Sequence, residues 1–81
     1  MELNKEILER FGLHTAALYS ILVREMNSVG EFFPYTKDKI ILETDMTRAR
    51  LKSSIRVLVE AGFIESKVIG LPATTHFKIL K

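Results

Sequence analysis

The chain contains no cysteine among its 81 residues. Disulfide bonds and thiolate metal sites are therefore excluded, and the composition fits a reducing, cytoplasmic setting. Its two histidines, His14 and His76, lie far apart in the sequence and have no carboxylate at ligand spacing. Neither a metal site nor a cofactor is predicted.

Long apolar runs are also lacking, since none approaches the roughly 18 residues that a membrane-spanning helix needs. The first residues, MELNKEILERFG, have no basic segment followed by an apolar stretch, so no secretory signal is predicted. G-x-S-x-G, a phosphate-binding glycine loop and paired carboxylates are missing too. Because a domain this small has little room for a substrate cleft, we expect that the protein is not an enzyme.

Acidic residues are absent between Thr47 and Val59, where four Arg or Lys residues occur. Residues 1–31 carry three Lys or Arg against five Asp or Glu, residues 32–56 carry six against three, and residues 57–81 carry three against two. A small asymmetry of this kind usually reflects ordinary solvated surface. Cations gathered on one face of a predicted helix instead indicate a surface that binds phosphate.

The segment from Thr47 to Ala61 predicts a helix with one apolar and one basic face. The Thr47 hydroxyl can accept a hydrogen bond from a free amide of the first turn, and Gly62 suits the left-handed position after the helix. The apolar positions recur at helical spacing: Leu51, Ile55, Leu58 and Gly62. The exposed face and first turn then carry Arg48, Ala49, Arg50, Lys52, Ser53 and Arg56.

Three further helices, an edge strand and a hairpin are predicted around this segment. The helices cover residues 4–11 between Asn4 and Gly12, residues 13–28 before Gly30, and residues 37–43 after a Thr36 cap. The edge strand surrounds Pro34, the hairpin strands are residues 63–68 and 75–80, and the turns are residues 44–46 and 69–74. The predicted core contains Leu18, Leu22, Ile41, Met46, Leu51, Ile55, Leu58 and Ile64.

Two stretches of the sequence resemble winged helix–turn–helix DNA-binding domains. Residues 43–65, ETDMTRARLKSSIRVLVEAGFIE, are similar without a gap to the pattern tGlSrstVkraLkeLeeaGlIe, with Thr47 at the capping Ser. Residues 70–80, GLPATTHFKIL, resemble the G-x-P-A-x-x-x-[YF]-[KR]-I ending of N-terminal domains in phage and plasmid replication initiators and replisome organisers. Asp45 departs from the usual Gly, which is tolerable because Asp can reach the left-handed region at some cost, and Ser53 stands where many members carry Arg or Lys.

The resemblance implies an α+β fold, a winged helix–turn–helix domain over residues 13–81. It has a three-helix core, to which residues 1–12 add a short N-terminal helix, and a C-terminal β-hairpin wing. In such domains the third core helix enters the major groove, and the hairpin lies along the adjacent backbone or minor groove. The expected function is sequence-dependent binding of double-stranded DNA, in replication initiation of a phage- or plasmid-type element or in transcriptional regulation. The alternative is a protein-interaction module that does not bind DNA.

The expected DNA contacts are Thr47, Arg48, Ala49, Arg50, Lys52, Ser53, Arg56, Lys67, Thr74, Thr75 and His76. Arg48 and Arg50 have the chemistry to read guanine through bidentate hydrogen bonds, although phosphate contacts are more numerous in protein–DNA complexes. Lys67 either lies against phosphate or is a solvated strand residue.

The N-terminal helix, residues 1–12, is a possible dimerisation element. It has apolar Leu3, Ile7, Leu8 and Phe11, and the next helix adds Tyr19 and Val23 beside its core stripe. Two copies joined through these residues would cover two half-sites on a palindrome. Alternatively, the N-terminal helix folds back and buries the same residues within one chain.

Overall fold

Four helices and three strands form the part of the chain that a computed structural model describes, residues 3–26 and 30–80. The helices are α1 (Lys5–Phe11), α2 (Leu13–Glu25), α3 (Lys37–Thr44) and α4 (Arg48–Glu60). The strands are β1 (Phe33–Pro34), β2 (Ile64–Ile69) and β3 (Thr74–Ile79). The chain is therefore an α+β protein, as the sequence predicts at this level.

The starts of three helices are set by the side chains that the sequence marks as caps. Asn4, Thr36 and Thr47 each accept a hydrogen bond from the backbone amide three residues later, at 3.0, 3.3 and 3.1 Å respectively. All three caps have extended backbone angles, so the chain enters the helix from outside it. Such a cap typically contributes about 1 kcal/mol.

The helix ends agree with the sequence at α1, α3 and α4 and differ at α2. Helix α4 is closed by Gly62 (φ 81°), whose amide bonds the Val59 carbonyl at 3.1 Å, and by the Phe63 amide, which bonds the Leu58 carbonyl at 3.0 Å. This pair of hydrogen bonds is a Schellman motif. After α3, Asp45 adopts the left-handed conformation that the sequence assigns to it (φ 61°).

Helix α2 is predicted to continue to Ser28, but it ends at Glu25, and Met26 is already extended. An early end lets the chain leave the helix and reach the sheet, where the Gly30 amide donates to the Ile79 carbonyl at 3.2 Å. Residues 27–29, including the predicted end of this helix, lie outside the described residues.

The sheet is antiparallel, in the order β1-β3-β2. Strand β1 lies at an edge, which is where Pro34 is tolerated because it has no amide to donate. Strands β2 and β3 form the predicted hairpin, paired from Ile64↔Ile79 to Ile69↔Thr74. Phe33, Phe77 and Ile79 are buried on the inner face.

Seven of the eight predicted core residues are buried, and Ile41 is the exception. Neighbouring residues on a helix point about 100° apart, so only one of Ile40 and Ile41 takes the central place. Ile40 is fully buried, whereas Ile41 is half-buried at the edge of the core. The core also includes Ile7 from α1 and the aromatic residues Phe33, Phe63 and Phe77.

Helix α1 packs against its own chain. Docking within one chain, the expected alternative to a dimer interface, is therefore what the structure contains. Ile7 is fully buried and Tyr19 is 7% exposed. The Phe63 ring meets Tyr19 and Phe11 edge-on, with centroids 5.8 and 6.5 Å away. The surplus apolar surface on which the dimer prediction depends is thus largely covered within one chain, although Leu8 remains 36% exposed.

Candidate nucleic-acid interface

The basic face of α4, formed by Arg48, Arg50, Lys52 and Arg56, is exposed along its whole length. Leu51, Ser54, Ile55 and Leu58 are buried on the opposite side. The predicted neighbours Thr47, Ala49 and Ser53 are exposed with the basic face, and together with Arg50 they surround a shallow depression of about 280 Å³. The structure therefore groups Thr47, Ala49, Arg50 and Ser53 around one depression, whereas Arg48 lines a separate cleft beside α3 and the hairpin.

A buried hydroxyl pair helps to hold α4 in place behind this face. The Thr15 hydroxyl on α2 donates to the Ser54 hydroxyl on α4 at 3.2 Å, and both side chains are buried. A buried polar group must be hydrogen-bonded to avoid a desolvation cost, so the pair favours one register of α4 against α2. The helical spacing places Ser54 on the buried stripe, three residues after Leu51 and four before Leu58, but it does not reveal the partner on α2.

Arg48 has a partner that the sequence does not reveal. Its guanidinium forms an ion pair with Asp38, in the first turn of α3. The two side chains are 73% and 72% exposed, and such a pair contributes at most about 1 kcal/mol. A phosphate group can therefore compete with Asp38 for Arg48. Within residues 3–26 and 30–80, no salt bridge involves Arg50, Lys52 or Arg56.

A polar cleft of about 210 Å³ joins α4 to the hairpin. Its walls include Lys37 at the start of α3, the Arg48–Asp38 pair and residues 73–75. The predicted site residues Thr74 and Thr75 thus lie beside the first turn of α4. Lys37 adds a cation that the sequence pattern does not assign to the site.

Lys67 and His76 lie elsewhere, on the outer face of the sheet. They are paired across the hairpin, and the Lys67 ammonium lies 4.0 Å from the centroid of the Phe32 ring. Lys78 approaches the same ring at 5.0 Å. His76 Nδ1 is 3.0 Å from the Thr74 carbonyl oxygen. Neither Lys67 nor His76 is among the residues that line the cleft.

A second charged cluster links α3 to α2 and to Tyr35, which directly follows β1. The Glu43 carboxylate accepts hydrogen bonds from Arg24, at 2.8 Å, and from the Tyr35 hydroxyl. Both bonds lower the pKa of Glu43, and the bond from Arg24 has the larger effect. The bond to Glu43 in turn raises the pKa of Tyr35. Arg24 also pairs with Glu25 at 2.9 Å. The cluster therefore holds in place the helix that precedes the basic face.

In the described part of the chain, no group of three His, Asp or Glu residues is placed to hold a metal ion. None of the described helices is long and apolar enough to cross a membrane.

Comparisons with protein families, with curated proteins and with solved structures found no match to this chain. The likeness to winged-helix domains therefore depends on the residues quoted above.

Proposed function

We propose that this protein binds double-stranded DNA in a sequence-dependent manner, as a winged helix–turn–helix domain. The observation that carries the proposal is the basic face of α4, which presents four exposed cations between Thr47 and Val59, a stretch without an acidic residue, while the other side of the helix is buried in the core. Cations in this arrangement release counterions from the DNA backbone, which is the main source of affinity in such complexes.

The shape of α4 also supports the proposal. Its 13 residues span about 20 Å, and the major groove is wide enough to admit a helix. The cleft beside Arg48 brings the start of the hairpin's second strand next to the first turn of α4. A duplex seated on α4 would therefore also contact the hairpin.

The proposed roles follow the positions of the side chains. Arg48 and Arg50, in the first turn, are placed for base edges or phosphates, and we expect at least one base contact from the set. Lys52 and Arg56, further along α4, contact the phosphates of the DNA backbone. The biological setting is replication initiation of a phage- or plasmid-type element, or transcriptional regulation, and the competing role is a protein-interaction module with an acidic partner.

Fluorescence anisotropy with duplexes enriched from a random pool tests the proposal. A double variant, Arg48→Ala with Arg50→Ala, should weaken affinity by at least about tenfold, since one bidentate base contact contributes about 1–3 kcal/mol. The salt dependence should also become shallower, by about one unit for each phosphate that is no longer neutralised by an arginine.

The matched control is Lys5→Ala with Arg10→Ala, which removes the same charge from exposed positions of α1. It should bind DNA almost as the unmodified protein does. No binding by the unmodified protein at low salt would favour the interaction module. Normal binding by a folded Arg48/Arg50 variant would reject α4 as the contact surface.

A further inference from the structure

The tip of the β2–β3 hairpin exposes apolar side chains to solvent. Leu71 is 100% exposed and Val68 is 64% exposed, with Pro72 beside them. From Val68 to Thr75 the chain has no charged residue. An exposed apolar cluster of this kind commonly marks a contact surface.

The tip lies on the same side of the molecule as the start of α4. Val68 pairs with Thr75, so the two share one face of the hairpin, and Thr75 lines the cleft that contains Lys37 and Arg48. Cations therefore flank the base of an apolar projection. This combination complements a surface with phosphates at its rim and apolar sugars and bases within.

The absence of charge at the tip decides what kind of DNA contact it suits. A hairpin that lies along phosphates needs cations at its tip, and the hairpin's nearest cation, Lys67, is directed to Phe32 on the outer face. Apolar side chains instead fit the walls of the minor groove, where Leu and Pro wedges open base steps and bend the duplex.

On the basis of the proposed function, we infer that Leu71 is an apolar wedge that enters the minor groove beside the α4 site and bends the DNA. Flexible pyrimidine–purine steps deform at the lowest cost. The protein would then select sequence at that step without a hydrogen bond to a base.

The test is DNA bending, measured by energy transfer between dyes at the two ends of a duplex enriched from a random pool by the unmodified protein. The unmodified protein should bring the dyes closer together. Leu71→Ala should abolish most of this change and weaken binding by about tenfold, the lower end of what burial of a leucine contributes. A pyrimidine–purine step moved out of reach of the hairpin should have a similar effect.

The control is Leu13→Ala, which removes another leucine with 60% exposure, at the start of α2. It should bend DNA as the unmodified protein does. Equal bending and affinity for Leu71→Ala and the unmodified protein would overturn the wedge and leave DNA binding intact. If the unmodified protein bound no duplex, the proposed function itself would fail, and the wedge with it.

Discussion

Asp38 is the residue that most alters the electrostatics expected of the basic face. It holds Arg48 in an exposed ion pair, and under the proposed function its carboxylate competes with a DNA phosphate for that side chain. The sequence shows that the two residues are ten positions apart, but their pairing depends on the angle between α3 and α4. Local patterns do not determine that angle, so the sequence predicts Arg48 as a free cation.

Replacement of Asp38 with Asn should strengthen DNA binding by about two- to fivefold, because it frees Arg48 and removes a like charge from the phosphate path. Anisotropy titrations at several salt concentrations measure this effect. Glu60→Gln, which makes the same charge change at the far end of α4, is the control. An unchanged affinity for Asp38→Asn would mean that the ion pair does not limit binding, and a weaker affinity would mean that Asp38 holds Arg48 in its binding position.

The direction of Lys67, whose ammonium lies over Phe32, is a second feature that local sequence patterns do not predict. The alternation of the hairpin strands is clear from the sequence, so Lys67 and His76 are assigned to the hairpin correctly. Their common direction is not predictable, because it depends on the register of β1, β3 and β2. That register places the Lys67 ammonium over Phe32 and away from the cleft.

At the scale of elements, the sequence predicts most of what is local. The caps at Asn4, Thr36 and Thr47 and the left-handed residues Asp45 and Gly62 depend on short-range hydrogen bonds and backbone sterics, and all are observed. The end of α2 depends instead on where the following chain must go to join the sheet. The local pattern therefore predicts it wrongly.

The cluster around Glu43 links elements, and it makes the fold sensitive to acid. The pKa of Glu43 is lowered in the folded chain, so its contribution to stability is complete above the unfolded-state pKa of about 4.3 and is lost as pH falls through the folded-state value. Glu43→Gln should be less stable at neutral pH. Its stability should also fall less steeply between about pH 5 and pH 3.

Urea unfolding over this pH range measures both effects. Glu9→Gln, an exposed carboxyl on α1, serves as the control for the change in net charge. Parallel stability curves for Glu43→Gln and the unmodified protein would show that the Arg24 and Tyr35 bonds add nothing to the fold.

At the scale of the whole molecule, α1 completes the core. Ile7→Ala should cost about 2–5 kcal/mol in the free energy of unfolding, because it leaves a cavity between α1 and α2. Leu8→Ala, one residue away and 36% exposed, should cost less than about 1 kcal/mol. Urea unfolding measures both values.

Protein concentration separates docking within one chain from a dimer. Intrachain docking makes the unfolding midpoint independent of protein concentration, whereas an interface between two copies makes it rise with concentration. Sedimentation equilibrium gives the association state directly. A dimer that dissociates when Ile7 is replaced would support residues 1–12 as a dimerisation element.

The order of the sheet has a consequence for how the protein behaves in concentrated solution. Within the described residues, β2 pairs with β3 alone, so one side of its six-residue backbone offers free amides and carbonyls. Such an edge is a template for aggregation, and charged side chains such as Glu65 and Lys67 oppose it because they resist burial. Their charges are opposite, so two antiparallel copies of β2 would not repel each other through these side chains. Lowering the salt concentration is therefore not expected to keep two copies from pairing edge to edge.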